Sequence, residues 1–536
     1  MLRWVLLLAT IIVIIIYLVQ IYSHDTLPGQ SGSVETKLPL QSYGFGETKR
    51  LLTFDLTEIG SVENIDLSDK KFATLTVSDS SGNKTYTIGI EVKGSGINER
   101  RKLNLAFEFW EPAEDDIPCT SIETCDDDKE ELFDFGEKYE DWVLRGGYNE
   151  QTLTRDAAAP SLVGGILQSR LVEVIFKFGN KYTYEGVYLL IPAIQRRVLE
   201  KRLDWDSGGK KEDCDDEDYN INTVSLIIEH TIKSRVYNRK LPCELFKQYS
   251  VKMRYPKCEF YDEEGVASCR DEYINRTNFY ASVLTWKNTS EVPLDLHSFV
   301  NTYYAEMLMR EDDFPFTSQY FYVNPDNDKV YSGPRWDYDR IYWRVAATSG
   351  WELLNLGYYV GRQPMEIWQE LGKNNAFIKL VKEQNATILQ NKQIFLNLID
   401  TRLQQFNNNY FDREIERWGL YGKKRPAYLD IIELNSHMTS RQKNSFVEEL
   451  AAMRKQVKQR SDWMQAHIND FNGFGVEDNL QYISFILNLL PLIILVFITI
   501  AYWIYYAIDK KDFDYLIPRV TNRRYKLIDV QERMDL

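Results

Sequence analysis

Asp313, Asp337 and Asp339 are the side chains whose spacing points most directly to chemistry. The acidic cluster Glu311-Asp312-Asp313 leads into an aromatic run, Ser318 to Asn324, and then a polar turn, Pro325 to Asp328. A second run rises through Lys329-Val330-Tyr331 to Gly333-Pro334-Arg335-Trp336-Asp337-Tyr338-Asp339. Turn residues between two β-favouring runs predict a hairpin, which returns Asp337 and Asp339 towards Asp313. Residues two apart on an extended segment share a face, so the last two carboxylates converge on one spot. A cation between them relieves their repulsion, and oxygen-only ligands suit Mg²⁺. A hairpin end with solvated acids is the plainer alternative, because Asp-x-Asp is common.

The elements that position these residues belong to a chain of 536 residues, long enough for several domains, with 44% hydrophobic and 27% charged residues, as in an ordinary folded protein. The net charge of -15 excludes a nucleic-acid backbone as partner, which would require a basic face. Tyr and Trp are abundant, at 34 and 12.

Two apolar runs bracket the chain. Residues 1–23, with a core from Trp4 to Ile21, read as a signal anchor rather than a cleaved signal peptide, since the core exceeds a secretory h-region and no Ala-x-Ala-like site follows. Residues 483–508 are long enough to span a bilayer and end in Tyr502, Trp503, Tyr505 and Tyr506 before Lys510 and Lys511. Basic residues outside both runs predict cytosolic termini and a middle that is lumenal or extracellular. Four Asn-x-Ser/Thr sequons, at Asn83, Asn275, Asn288 and Asn385, and all six Cys fall between the runs, consistent with an oxidising compartment. Fifteen pairings are possible, with Cys119–Cys125 and Cys258–Cys269 as the local candidates. In the tail, 509–536, Tyr525-Lys526-Leu527-Ile528 has the form of a tyrosine sorting signal for a coat adaptor; an inert basic segment that meets anionic lipid is the alternative.

Residues 24–45 are punctuated by Gly, Ser and Pro and read as a stalk, and 46–474 as the lumenal domain. Its first part alternates in β fashion, at Leu51 to Asp55, Ala73 to Val77, Tyr86 to Val92, Trp142 to Arg145 and Val224 to Glu229, with a hairpin around Gly179-Asn180. A Gly94-Ser95-Gly96 turn precedes Arg100-Arg101-Lys102; a phosphate seat and a plain hairpin end are both open there. Acidic insertions at Glu111 to Glu140 and Lys210 to Asp218 read as solvated loops, the first tied by a disulfide. Helices are predicted over Thr154 to Arg170, Pro293 to Arg310, Met365 to Phe411 and Ser440 to Phe471. The fold class is therefore α+β, with an N-terminal β-rich part and C-terminal helices flanked by two transmembrane helices.

An Asp, two short strands and a second Asp is the order of parts in a protein kinase. More specifically, the chain from about residue 50 to 470 resembles the CotH kinase-like family, the spore coat protein H group of atypical kinases. Gly333-Pro334-Arg335-Trp336-Asp337-Tyr338-Asp339 is similar to that family's Gly-Pro-x-Trp-Asp-aromatic-Asp. Trp142-Val143-Leu144-Arg145 with Thr152-Leu153-Thr154-Arg155-Asp156, Tyr184-Glu185-Gly186-Val187-Tyr188-Leu189-Leu190, the strand ending in Glu229, and Asp313-Phe314-Pro315 follow in family order. Arg460-Ser461-Asp462-Trp463 fits the closing segment. The resemblance implies transfer of phosphate from ATP, with Mg²⁺ or Mn²⁺, to hydroxyls of secretory or surface proteins. Asp337 and Asp339 would hold metal, Asp313 would be the base or second acidic element, Lys102 and Arg155 would touch phosphates, and Glu229 would orient a cation. The chain departs from the family at Pro192, where Glu is usual, and near Thr317 or Ser318, where Asn is usual. Those departures define the alternative, a catalytically weak pseudokinase acting in binding, adhesion or structure.

Overall fold

The computed structural model describes most of residues 50–194, Leu199, 225–230, 245–246, 251–255, 260–261, 267–268, 271–284, most of 293–338, a few residues between 350 and 355, most of 366–418, 446–474, 476–478 and Thr499. Asp313, Asp339, the Gly94-Ser95-Gly96 turn, the apolar runs apart from Thr499, the stalk, Cys258–Cys269 and the Tyr525 motif lie outside the described residues. Among the described residues no helix is long and apolar enough to cross a membrane. The chain divides into two units, 24–478 and 1–23 with 479–536.

The first unit opens with eight strands: β1 (Leu51–Asp55), β2 (Lys71–Asp79), β3 (Gly82–Lys93), β4 (Asn104–Pro112), β5 (Cys125–Asp128), β6 (Asp141–Arg145), β7 (Arg170–Phe178) and β8 (Lys181–Pro192). Their order is β3-β2-β1-β7-β8-β6-β4-β5, and β3 also pairs with β4, so seven of them close into a ring with β5 outside it. Every pairing is antiparallel except β1 with β7, where Leu51 meets Glu173 and Asp55 meets Lys177. Alternation on β2 buries Ala73, Leu75 and Val77, the period-two signature of one covered face. By contrast β7 is buried without interruption from Leu171 to Phe176, as expected of a strand with a parallel neighbour and cover on both faces. Phe54 fills the ring with Phe107 and Phe176, its centroid 5.5 and 6.2 Å from theirs in edge-on geometry.

Between β6 and β7 lies α1 (Thr154–Ser161). The helix predicted to reach Arg170 stops at Ser161, and Arg170 already begins β7. Pro160 followed by Gly164-Gly165 accounts for the early end. The first acidic insertion also differs from expectation, because Cys125–Asp128 forms β5 against β4 and the Cys119–Cys125 disulfide closes its approach. These Asp residues have poor β propensity, so pairing with β4 decides their conformation.

A second sheet follows, made of β9 (Leu226–His230), β10 (Leu245–Phe246), β11 (Val251–Tyr255), β12 (Gln319–Asn324) and β13 (Lys329–Arg335), in the antiparallel order β10-β11-β9-β12-β13. The predicted hairpin is β12–β13, with Asn324 paired to Lys329 across the turn. Against it packs α3 (Leu296–Met309), which follows α2 (Asp271–Leu284). Asp295 caps α3 by accepting the Ser298 N–H at 2.8 Å. Phe299 reaches Phe321 of the sheet at 5.9 Å and Trp368 at 5.4 Å. Trp368 lies on α4 (Glu366–Leu371), the first of a helical series continuing with α5 (Asn375–Glu383), α6 (Ala386–Asn407), α7 (Asp412–Trp418) and α8 (Phe446–His467). From Phe299 onward all of α3 but Asn301 is buried between the sheet and these helices, and this helix leads into Glu311.

Candidate functional site

The site is assembled from three remote pieces: the end of β6, the first turn of α1, and the turn that follows β13. Arg145, the last residue of β6, makes two bonds to Asp156 of α1, from Nε to Oδ2 at 3.2 Å and from Nη2 to Oδ1 at 3.3 Å. The same Nη2 meets Asp337 Oδ1. Asp156 Oδ1 also accepts the backbone N–H of Tyr338 at 3.1 Å, so one buried carboxylate holds both the cation and the turn. Planar guanidinium geometry suits this two-sided recognition, and Arg145 also lies 6.0 Å from the ring of Trp336.

Asp337 has φ +66°, a left-handed conformation that a non-glycine residue adopts only when its surroundings hold it there. Its side chain is 28% exposed, against 9% for Arg145. Ser318 is left-handed too, at φ +57°, and its hydroxyl donates to Asp337 Oδ2 at 3.3 Å. Asp337 and Ser318 thus offer only oxygen, the donor chemistry of a hard divalent cation. Among the described residues no group of three His, Cys, Asp or Glu side chains is arranged as a metal centre, and Asp313 and Asp339 are not among those residues.

Behind the turn, Tyr338 donates its hydroxyl to Glu306 of α3. Burial pushes the Glu306 carboxyl up to about 7, with Tyr338 and Arg335 acting in the opposite direction. Arg460 of α8 fastens the end of α3: its Nε donates to the Met307 carbonyl at 2.7 Å, satisfying a terminal carbonyl of the helix.

The remaining predicted site residues are placed elsewhere. Lys102 is 2% exposed, and its ammonium donates to Glu414 Oε1 of α7 and to the Val187 carbonyl, both at 2.7 Å. Burial holds it below the usual lysine range, and Glu414 pulls it back up. Arg155 is fully buried, with Nη1 2.6 Å from Glu449 and 3.4 Å from Glu150. The guanidinium that meets Asp337 is that of Arg145, ten residues before Arg155 in the sequence. Glu229 on β9 pairs with Arg254 of β11 at 2.5 Å. Arg145 and Asp156 stand inside motifs visible in the sequence, but no role attached to them because Asp337 is 192 residues from Arg145.

No curated protein matches the chain. Residues 90–464 match the CotH kinase protein family, more than half of the chain and a range that includes β6, α1 and the Asp337 turn. The chain therefore belongs to the CotH kinase protein family.

Proposed function

We propose that this chain binds ATP with Mg²⁺ or Mn²⁺ at the Asp337 turn and transfers phosphate to hydroxyls of proteins. The observation that carries the reading is the Asp337 carboxylate, held in a left-handed turn between the Arg145 guanidinium and the Ser318 hydroxyl, in a member of a kinase family. A bound divalent cation would disperse the charge of the transferred phosphoryl group. Asp337 would hold it, Asp339 is the second ligand that the family resemblance assigns, and the Ser318 hydroxyl stands near where the family's Asn is usual. Arg145 adds fixed positive charge at the same place, oriented by Asp156. Asp313 is the group assigned to take the proton of the acceptor hydroxyl.

Placement in a membrane, with the domain in the secretory lumen or at the surface and both termini cytosolic, is part of the same proposal. The two apolar runs, the four sequons and the Cys119–Cys125 disulfide support it. Acceptors are then secretory-pathway or surface proteins.

A second reading, a CotH-like pseudokinase that serves as a binding, adhesion or structural protein, is favoured by one observation. The Lys102 ammonium is enclosed by Glu414 and the Val187 carbonyl.

One experiment separates the two. The purified chain is incubated with labelled ATP and Mg²⁺ or Mn²⁺, and self-labelling is measured beside nucleotide binding. Labelling that Asp337→Asn abolishes is expected, with the unfolding midpoint without nucleotide nearly unchanged because Arg145 keeps Asp156. Nucleotide binding without labelling selects the pseudokinase, and labelling that survives in Asp337→Asn removes the metal assignment.

A further inference from the structure

A cavity of about 20 Å³ is lined by α3, the start of β12, the end of β13 and the Asp337 turn, room for roughly one water. Four of its lining residues, Thr302, Glu306, Gln319 and Arg335, are more than nine-tenths buried. Each carries a polar atom with no hydrogen-bond partner: Thr302 Oγ1, Glu306 Oε2, Gln319 Nε2, and Arg335 Nε and Nη1. A carboxylate and a guanidinium thus face the same small space, with donors and acceptors that a single water would join. Buried polar groups are seldom left unpaired, so a bridging water is the natural occupant of this space.

The geometry points to Glu306 as a positioning residue for the metal-carrying turn, acting through Tyr338 from the wall of a one-water cavity shared with Arg335. Tyr338 follows Asp337 directly, so whatever fixes Tyr338 fixes the backbone that carries the Asp337 carboxylate. It is pinned at both ends, by its N–H on Asp156 at 3.1 Å and by its hydroxyl on Glu306. The pins are needed because the left-handed φ of +66° at Asp337 breaks the extended alternation that would otherwise set where the neighbouring side chains point. Thr302 and Glu306 lie one helical turn apart on the same face of α3, and both line the cavity, so one rigid helix presents the wall. Partners that orient a metal ligand in this way typically contribute about 10–100-fold to metal affinity.

The inference rests on the assignment of metal to Asp337. The test is Mn²⁺ titration of the full chain, followed by electron paramagnetic resonance, for wild type, Asp337→Asn, Glu306→Gln, Glu306→Ala, Tyr338→Phe and the Glu306→Ala/Tyr338→Phe pair. Unfolding midpoints are measured alongside. Glu306→Gln keeps an acceptor for the Tyr338 hydroxyl and is expected to bind within about twofold of wild type. Glu306→Ala and Tyr338→Phe are each expected to weaken binding about tenfold, and the pair no further than either alone, because both remove one shared bond. Wild-type affinity in Glu306→Ala and Tyr338→Phe, or losses that add in the pair, would overturn the inference and leave the metal assignment standing. Absence of Asp337-dependent Mn²⁺ binding in the wild type would overturn both.

Discussion

Lys102 and Glu414 are each almost without solvent, at 2% and 3% side-chain exposure, and each is the other's counter-charge at 2.7 Å. Burial lowers the lysine and raises the glutamate, so for both groups desolvation outweighs the attraction that opposes it. Replacing such a pair by apolar residues is often neutral, whereas removing one member leaves a buried charge uncompensated at a cost of about 3–5 kcal/mol. Lys102→Met is therefore expected to lower stability by an amount of that order, and Lys102→Met with Glu414→Leu to recover most of it. Denaturant unfolding of the protein without nucleotide measures both. A single variant as stable as wild type would show that the pair does not support the fold and would return Lys102 to the phosphates.

At the scale of elements, Glu414 belongs to a helix that completes a strand. Across β7, Val174 pairs with Gly186 and Ile175 with Tyr184, which leaves Glu185 as an extra residue, a bulge in β8. The bulge frees backbone groups that the ladder no longer uses, and α7 takes them up. Arg417 Nε donates to the Tyr184 carbonyl at 3.1 Å, Trp418 Nε1 donates to the Glu185 carbonyl at 2.8 Å, and Glu414 Oε2 accepts the Val187 N–H at 2.8 Å. Gly186 is required on two counts: its φ is +117°, and a Cβ there would lie 2.2 Å from Glu414 Oε2. Gly186→Ala is expected to lower stability by at least about 1–3 kcal/mol and to raise proteolytic cleavage around α7; an unaltered unfolding midpoint would mean that the helix does not depend on the bulge. The hairpins β7–β8 and β12–β13 were legible because Gly179-Asn180 and Pro325 to Asp328 are local turn signals. The bulge and its helix were not, because Val187 and Glu414 are 227 residues apart and no periodicity carries such a pairing. The place of Asp337, just past the β12–β13 hairpin, was legible for the same local reason, while the contact of Arg145 and Asp156 with that turn arises only when strand and turn meet.

Over the whole molecule, closure of the β3–β4 seam and the parallel β1–β7 contact place acidic side chains where water does not reach. Alternation pointed to many of the strands but missed β4 and β5, and it could not show that distant strands close a ring, so these buried acids had no signal in the sequence. Glu173 on β7 is the clearest case: it is 1% exposed, and burial pushes its carboxyl from 4.5 up to about 8, against the pull of Arg413. Glu185, at about 7, is shifted in the same direction by the same cause. His230 is shifted the other way, down to about 4 by burial, so its contribution to stability falls on acidification between pH 6.5 and 4. For Glu173 the sign is opposite. Between pH 4.5 and 8 the folded form keeps a proton that the unfolded chain has released, so its contribution is full below 4.5 and is lost as pH rises through 8. Glutamine mimics the protonated acid and does not titrate. Glu173→Gln is therefore expected to match wild type within about 1 kcal/mol at pH 5 and to be more stable than wild type at pH 8, with a shallower fall between them. Unfolding midpoints of the two proteins across that range measure the difference. Parallel pH profiles would show that the Glu173 carboxyl is ionised inside the fold, with its charge balanced by Arg413.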